Sequence, residues 1–243
     1  MQVAILAGGL ATRLGALTAR QPKFLLEVGG RPFADHQLEW LAGSHVDRVV
    51  LCVGHLGEQI REFVGNGSRW GLAVEYVDDG PRLLGTAGAL RLAFERGLLA
   101  QAFAVLYGDS YLTVAAPAVW RAFAARRPPA LMCTYRNDGR WDASNASVRD
   151  GWVVRYEKGV ADPAAAGMHE IDYGLAVLDR DAVVAQIPAG EPVDLADVYT
   201  RLAAEGRLAA HPVSERFYEI GSPAGLAELD AELRTRVAAR PRD

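Results

Sequence analysis

Hydrophobic and polar positions follow two regimes along this chain. From Gln2 to Tyr107, short apolar runs alternate with segments of helical spacing. Gln2–Leu6, Arg48–Val53, Ala73–Val77 and Ala102–Tyr107 are compact, apolar and partly valine-rich, as buried strands are. Between them, Phe33–Leu41 places Phe33, Gln37, Leu38 and Leu41 on one side of a helix. Leu56–Val64 reads as a second helix. Leu84–Leu98 begins as a loop and continues as a helix with Ala87, Leu90 and Phe94 on one face. Phe24–Val28 reads as a short extended segment ending at the Gly29-Gly30 turn. Strand and helix alternating in this way predict a parallel sheet covered on both faces.

From Ala130 the spacing changes. Ala130–Tyr135, Ala146–Arg149, Trp152–Tyr156 and Glu170–Leu178 are strand-like and close together, and Asp150-Gly151 between two of them is a hairpin signal. Mixed or antiparallel pairing is expected here. Asp194 caps a helix carrying Leu195, Val198, Tyr199 and Leu202, and Ser222-Pro223 opens a last helix striped by Leu226, Leu229 and Leu233. No internal repeat or low-complexity linker interrupts the chain. Residues 161–166 read as a surface loop. The expected class is α/β, in one continuous domain over 1–243 with halves 1–129 and 130–243.

Composition narrows the partners. The chain has 243 residues, half of them hydrophobic, and a formal charge of −4. That size allows an ample core. Mild acidity disfavours nucleic acid, whose phosphate backbone calls for a basic face. No apolar run reaches membrane-spanning length, and the N-terminus starts in a strand without a basic-then-apolar leader, so a cytoplasmic location is the expectation. Cys52 and Cys133 sit in apolar runs and read as buried free thiols without metal-ligand spacing.

The strongest candidate chemistry is Leu6-Ala7-Gly8-Gly9-Leu10-Ala11-Thr12-Arg13-Leu14, followed by Gln21-Pro22-Lys23-Phe24-Leu25-Leu26. Glycines after a first strand let backbone N–H groups approach an anion, and Arg13 and Lys23 add positive charge beside them. That combination suits a polyphosphate. Neither G-x-x-x-x-G-K-[ST] nor G-x-G-x-x-G is present. Gly8-Gly9 alone equally fits a plain turn with two solvated cations. Gly85-Thr86-Ala87-Gly88 lies at a loop-to-helix junction, where free amides and the helix dipole favour anions, although such junctions are frequent. Tyr107-Gly108-Asp109-Ser110 follows a strand, where open α/β sheets bind ligands. A carboxylate there suits Mg²⁺, or serves as an ordinary turn residue. Glu157-Lys158 is as bare sequence a solvated pair, and Tyr173 fits a plain sheet aromatic.

Taken together, these runs resemble the sugar-1-phosphate nucleotidyltransferases (NDP-sugar pyrophosphorylases). L-A-G-G-x-x-T-R-L, P-K-x-L-L, G-T-A-G-A-L, the Gly108-Asp109 pair and the I-G-S-P segment occur in family order from Val3 to Pro223. The likeness is greatest to short bacterial members such as D-glycero-D-manno-heptose-1-phosphate guanylyltransferases. It implies a Rossmann-like mixed sheet flanked by helices, with a smaller antiparallel sugar-binding part and no C-terminal β-helix. It implies a reaction that joins an NTP to a sugar 1-phosphate, with Mg²⁺ as cofactor and a monomer or homodimer as the working form. Arg13 and Lys23 would be catalytic. Leu6, Ala7, Gly8, Gly9, Thr12, Gly85, Thr86, Ala87 and Gly108 would hold the nucleotide. Ser144, Asn145, Glu157, Lys158, Tyr173 and Gly174 would hold the sugar phosphate, and Asp109 and Glu219 the metal. Ala11 departs from the usual glycine, and Glu219 from the usual aspartate.

Pyrimidine-selective relatives tend to carry a glutamine shortly before the second glycine segment. Here Tyr76–Leu84 has none, and Asp78 or Asp79 could instead accept the two adjacent donors of guanine, or form a solvated turn with Gly80-Pro81. The five histidines form no cluster, and a phosphate nucleophile needs no general base. A UTP- or dTTP-dependent relative, a metal-dependent glycosyltransferase and a non-catalytic sugar-nucleotide sensor are the alternatives. The glycosyltransferase is disfavoured because Arg13 together with Lys23 suits a triphosphate better.

Overall fold

The computed structural model describes residues 1–10, 12–80 and 82–238; Ala11 and Pro81, both singled out above, lie outside the described residues. The first regime folds as its spacing predicts. Strands β1 (Gln2–Leu6), β2 (Arg48–Val53), β3 (Ala73–Asp78) and β4 (Ala102–Tyr107) alternate with helices α1 (Phe33–Gly43), α2 (Gly57–Val64) and α3 (Gly85–Glu95). These strands pair in parallel in the order β3-β2-β1-β4. The order reverses between β1 and β4, and the crevice beyond the carboxyl ends of such strands is where open α/β sheets take ligands.

The second regime extends the same sheet. After α4 (Ala116–Arg126) come β5 (Ala130–Arg136), β6 (Ala146–Arg149), β7 (Trp152–Tyr156), β8 (Glu170–Asp179), α5 (Leu195–Ala204), β9 (Leu208–Val213) and α6 (Pro223–Ala238). The sheet continues from β4 as β8-β5-β9-β7-β6. β8 runs antiparallel to both β4 and β5, which makes the sheet mixed. Asp150 and Gly151 take φ of 50° and 75°, the left-handed pair that a tight β6–β7 hairpin requires. The Asp194 side chain accepts from Ala196 N at 2.8 Å and caps α5.

Buried side chains alternate across the sheet into two cores. Val3, Ile5 and Leu51 point to one face and Ala4, Val50 and Cys52 to the other. Burial pushes the Cys52 thiol up to about 12 and Cys133 well above its ordinary range, so both are unreactive core thiols.

Three features depart from the reading of the sequence. Lys23–Leu25 forms a single tight turn, and only Glu27–Val28 of the expected extended segment is a strand, paired with Arg31–Pro32. Helix α4 and strand β9 were not anticipated. α4 buries only Val119 and Phe123 among alanines and arginines, too thin a stripe to read. β9 reads Leu-Ala-Ala-His-Pro-Val, poor in strand formers, and is extended because β5 and β7 flank it.

Candidate active site

The turn after β1 is built for close approach. Gly108 N donates to Leu6 O at 3.0 Å and Ala7 N to Cys52 O at 2.9 Å, so the ends of β1, β2 and β4 are laced together. A Cβ on Gly8 would stand 3.0 Å from Gly54 N, which reserves that position for glycine. Leu6, Ala7, Gly8 and Gly9 then form one wall of a cavity of about 210 Å³, with Gly85, Thr86, Gly108, Asp109 and Lys23 around it.

The start of α3 lines this cavity, but its amides are not free. Ala87 N and Gly88 N donate to Val193 O at 2.9 and 3.2 Å. Thr86 Oγ1 accepts from Leu195 N at 2.7 Å and donates to Asp194 Oδ1 at 3.2 Å. Ala87 is fully buried, and Ala89 reaches the cavity in its place. The expectation of an open anion site at this helix start is therefore corrected: the loop before α5 caps it. Gly85 holds φ +73°, and a Cβ there would meet Val193 O at 2.5 Å. Gly85→Ala is expected to lower stability by about 1–3 kcal/mol, read as a drop in Tm.

The two aspartates of the following stretch separate. Asp78 Oδ1 accepts from Gly80 N at 2.8 Å and its Oδ2 lies 3.5 Å from Arg61, outside the cavity. Asp79 lines the cavity: one oxygen accepts from Leu84 N at 3.1 Å, and Oδ1 is buried with no partner. Burial raises the Asp79 carboxyl above its ordinary range, opposed by the Leu84 amide. Thr12 is exposed and lines neither this cavity nor the next.

A second cavity of about 310 Å³ adjoins the first and shares Tyr107 and Asp109 with it. Ser144, Asn145, Lys158 and Gly174, expected around the sugar phosphate, line it together with Glu219; Arg13, expected beside the triphosphate, lines this cavity and not the first. The Ser144 hydroxyl is spent within its own loop, accepting from Asn137 Nδ2 at 3.1 Å and Gly139 N at 3.3 Å. Asn145 Oδ1 accepts from Asp172 N at 2.9 Å. Lys158 Nζ stands 5.7 Å from the centre of the Tyr107 ring.

Two sugar-contact expectations are corrected. The Glu157 side chain is half exposed and paired with Arg155 at 2.7 Å, outside the cavity. Tyr173 is 0% exposed, edge-on to Phe217 at 5.6 Å, so it is a core aromatic. Its neighbour lines the cavity instead. The β8–β5 register shifts between Asp172 and Ala176, and within that irregularity the Asp172 side chain faces the cavity. Gly174 sits there at φ +89°, where a Cβ would press on Ser110 Oγ at 2.9 Å. Asp172 Oδ1 accepts from Gly174 N at 2.9 Å, and burial raises its carboxyl above the ordinary range. Asp172 directly precedes Tyr173 and Gly174 in the chain, the local signal by which it could have been found. Asp142, the other missed carboxylate, sits in a loop with no sequence signal.

The cavities meet at a charged seam. Lys23 Nζ donates to Asp109 Oδ2 at 2.5 Å. A short antiparallel pair, Ser110–Tyr111 against Tyr218–Glu219, brings Glu219 opposite Ser110, and Ile220 N donates to Asp109 O at 2.9 Å. Arg13 closes the seam: a Cβ on Gly221 would stand 3.1 Å from its Nη2 and 3.6 Å from Asp109 Oδ2. Burial, then the nearby Asp109, Asp142 and Asp172, push Glu219 up to about 7, against the pull of Arg13.

A family model described as "MobA-like NTP transferase domain" matches residues 3–231. The chain belongs to this family. A CMP-5'-(3-aminopropyl)phosphonate synthase of Streptomyces rubellomurinus is 41% identical to this MobA-like chain over 126 residues, 51% of this chain and 19% of its own length. A mannose-1-phosphate guanylyltransferase of Mycobacterium tuberculosis is 28% identical over 98% of this chain and 66% of its own. The chain thus spans less than two thirds of either relative. An N-acetylmuramate alpha-1-phosphate uridylyltransferase of Caulobacter vibrioides is 27% identical over 95% of both chains. Among solved structures, HddC from Yersinia pseudotuberculosis complexed with GMP-PN superposes with a TM-score of 0.79 at 21% identity, over 95% of this chain and 98% of that one. That likeness shows the nucleotidyltransferase fold.

A divalent cation fits the seam of this MobA-like chain by the chemistry of its donors. Asp109 and Glu219 offer hard carboxylate oxygens on neighbouring segments, and Glu219 is raised partly by the nearby Asp109. Among the described residues no cluster of three or more His, Cys, Asp or Glu is arranged as a metal site. The pair alone would leave most of a cation's shell to phosphate and water, as Mg²⁺ tolerates. No helix among the described residues is long and apolar enough to cross a membrane.

Proposed function

We propose that this protein joins a nucleoside triphosphate to a sugar 1-phosphate, forming an NDP-sugar and releasing pyrophosphate, in the cytoplasm. The observation that carries this reading is the shared wall: Asp109, with Lys23 on it, belongs to both cavities. Two substrates seated in adjoining pockets would meet at that carboxylate. Residues 1–129 form the nucleotide half and 130–243 the sugar half.

The nucleophile is a sugar phosphate oxygen, anionic at neutral pH, which attacks the α-phosphorus in line while pyrophosphate leaves. No base is required, and among the described residues no histidine lines either cavity. The difficulty is electrostatic. Two unit charges about 4 Å apart repel by about 1 kcal/mol in bulk water and about 4 kcal/mol at an effective dielectric near 20. Lys23 offsets the charge of the triphosphate, Lys158 that of the acceptor phosphate, and Arg13, at the seam on the acceptor side, the charge that gathers where the two meet. Mg²⁺ held by Asp109 and Glu219 would neutralise phosphate charge at the same place.

The preferred base is guanine and the preferred acceptor a manno-configured heptose or hexose 1-phosphate. Asp79 supports the base: it lines the nucleotide cavity and carries a buried, unpartnered Oδ1, which a small turn of the side chain would present to guanine's adjacent N1–H and 2-amino group. The mycobacterial guanylyltransferase, similar over nearly the whole chain, supports the acceptor. A second reading is CTP, because a carboxylate also accepts from the cytosine amino group and the 41%-identical relative is a CMP-phosphonate synthase. Uracil and thymine present carbonyls on both sides of their one N–H, which a carboxylate repels.

Competition of the four NTPs at equal concentration, read by pyrophosphate release over several sugar 1-phosphates, tests this. GTP should win, and Asp79→Ala should cut its advantage by roughly 5- to 150-fold, the equivalent of about 1–3 kcal/mol for a bidentate contact. Asp78→Ala should leave it unchanged. A preference for UTP or dTTP refutes the assignment, and a CTP preference selects the second reading. Absence of pyrophosphate release refutes the transferase altogether.

A further inference from the structure

Gln37 is a polar side chain on the apolar face of α1, among Phe33, Ala34, Leu38 and Leu41, and only 2% of it is exposed. Its Nε2 donates to Tyr107 O at 2.9 Å and to Ser110 O at 2.9 Å. Both partners are carbonyl acceptors, so the amide can face them only with its two N–H groups. They flank Gly108-Asp109. The same corner is held from β1, where Gly108 N meets Leu6 O, and from the Tyr218–Glu219 strand, where Ile220 N meets Asp109 O.

Core packing does not call for an amide here. Gln37 Oε1 is buried with no partner, an unmet acceptor that a hydrocarbon of the same shape would avoid. The corner does call for one. Gly108 must lack a side chain, because a Cβ would stand 3.0 Å from both Ala7 Cβ and Leu6 O. The turn carrying Asp109 therefore includes a residue with little restraint of its own.

We propose that Gln37 is the positioning residue for Asp109. By fixing the carbonyls on either side, it sets the carboxylate against Lys23 and across from Glu219. The role deepens the proposed function and rests on Asp109 standing at the centre of transfer.

The test compares Gln37→Met, close in shape but without donors, with Leu38→Ala, a neighbouring core change. Mn²⁺ affinity is read by electron paramagnetic resonance, turnover by pyrophosphate release, and the 107–111 backbone by hydrogen exchange relative to 102–106. Gln37→Met should weaken Mn²⁺ binding roughly 10-fold or more, the usual effect of losing a partner behind a ligand. Its kcat should fall by a similar factor while KM for the triphosphate moves less than about threefold, and exchange over 107–111 should quicken. Leu38→Ala should lower Tm without these selective effects. Should Gln37→Met not fold, Gln37→Asn, which withdraws the amide by one methylene, is read in the same assays with the same expected direction. Unchanged Mn²⁺ affinity and unchanged exchange in the Gln37 variant overturn the proposal. A wild type that binds no Mn²⁺ refutes Asp109 as a metal ligand, and the exchange comparison then still decides whether Gln37 holds the corner.

Discussion

Lys23→Ala is expected to lower kcat/KM by about 10²- to 10³-fold, a loss of about 3–4 kcal/mol of transition-state stabilisation. Lys23 follows Pro22 in a tight turn anchored by buried Phe24 and Leu25, so its backbone position does not depend on its own charge. The ammonium meets Asp109 at the boundary of both cavities, where the leaving pyrophosphate would gather charge. The ion pair is partly open to solvent and contributes modestly to folding, so Tm should move by only a few degrees. Lys23→Arg should recover part of the rate, because it returns the charge without the compact ammonium geometry. Near-normal turnover in a folded Lys23→Ala variant would sink the transfer mechanism.

Asp109→Asn is expected to cost roughly 10³-fold or more in Mg²⁺-supported turnover, and Glu219→Gln nearly as much. Each replaces a hard anionic oxygen by a neutral amide, and each leaves the strand pairing of 110–111 with 218–219 intact, because that pairing is made by the backbone. Mn²⁺ binding should fall in step with the rate, which separates loss of a ligand from general damage. Glu219→Asp should keep measurable activity, since it retains the carboxylate and withdraws it by one methylene. Wild-type behaviour in Glu219→Gln would move the second ligand to Asp142 or Asp172, the other carboxylates on that cavity.

Features with local causes were readable from the residues alone. The apolar run of β1, the glycine turn behind it, the Asp150-Gly151 hairpin and the Asp194 cap each depend on a few neighbouring side chains and their backbone preferences. The same holds for the transferase signature, because Gly8, Lys23 and Asp109 lie in short contiguous motifs. Where a side chain points is a different matter. Glu157 and Lys158 are adjacent, yet one pairs with Arg155 outside the cleft and the other lines it. Asp172 and Tyr173 alternate across β8, so one faces the cavity and the other the core. The amides of α3 looked available until the chain near Val193, more than a hundred residues later, reached back to take them. β9 is a strand because of its neighbours in the sheet, not because of Ala-Ala-His-Pro. Propensity and spacing act over a few residues, whereas strand register, the facing of side chains and the claiming of free hydrogen-bond donors are set by contacts between distant segments, which exist only once the chain has closed on itself.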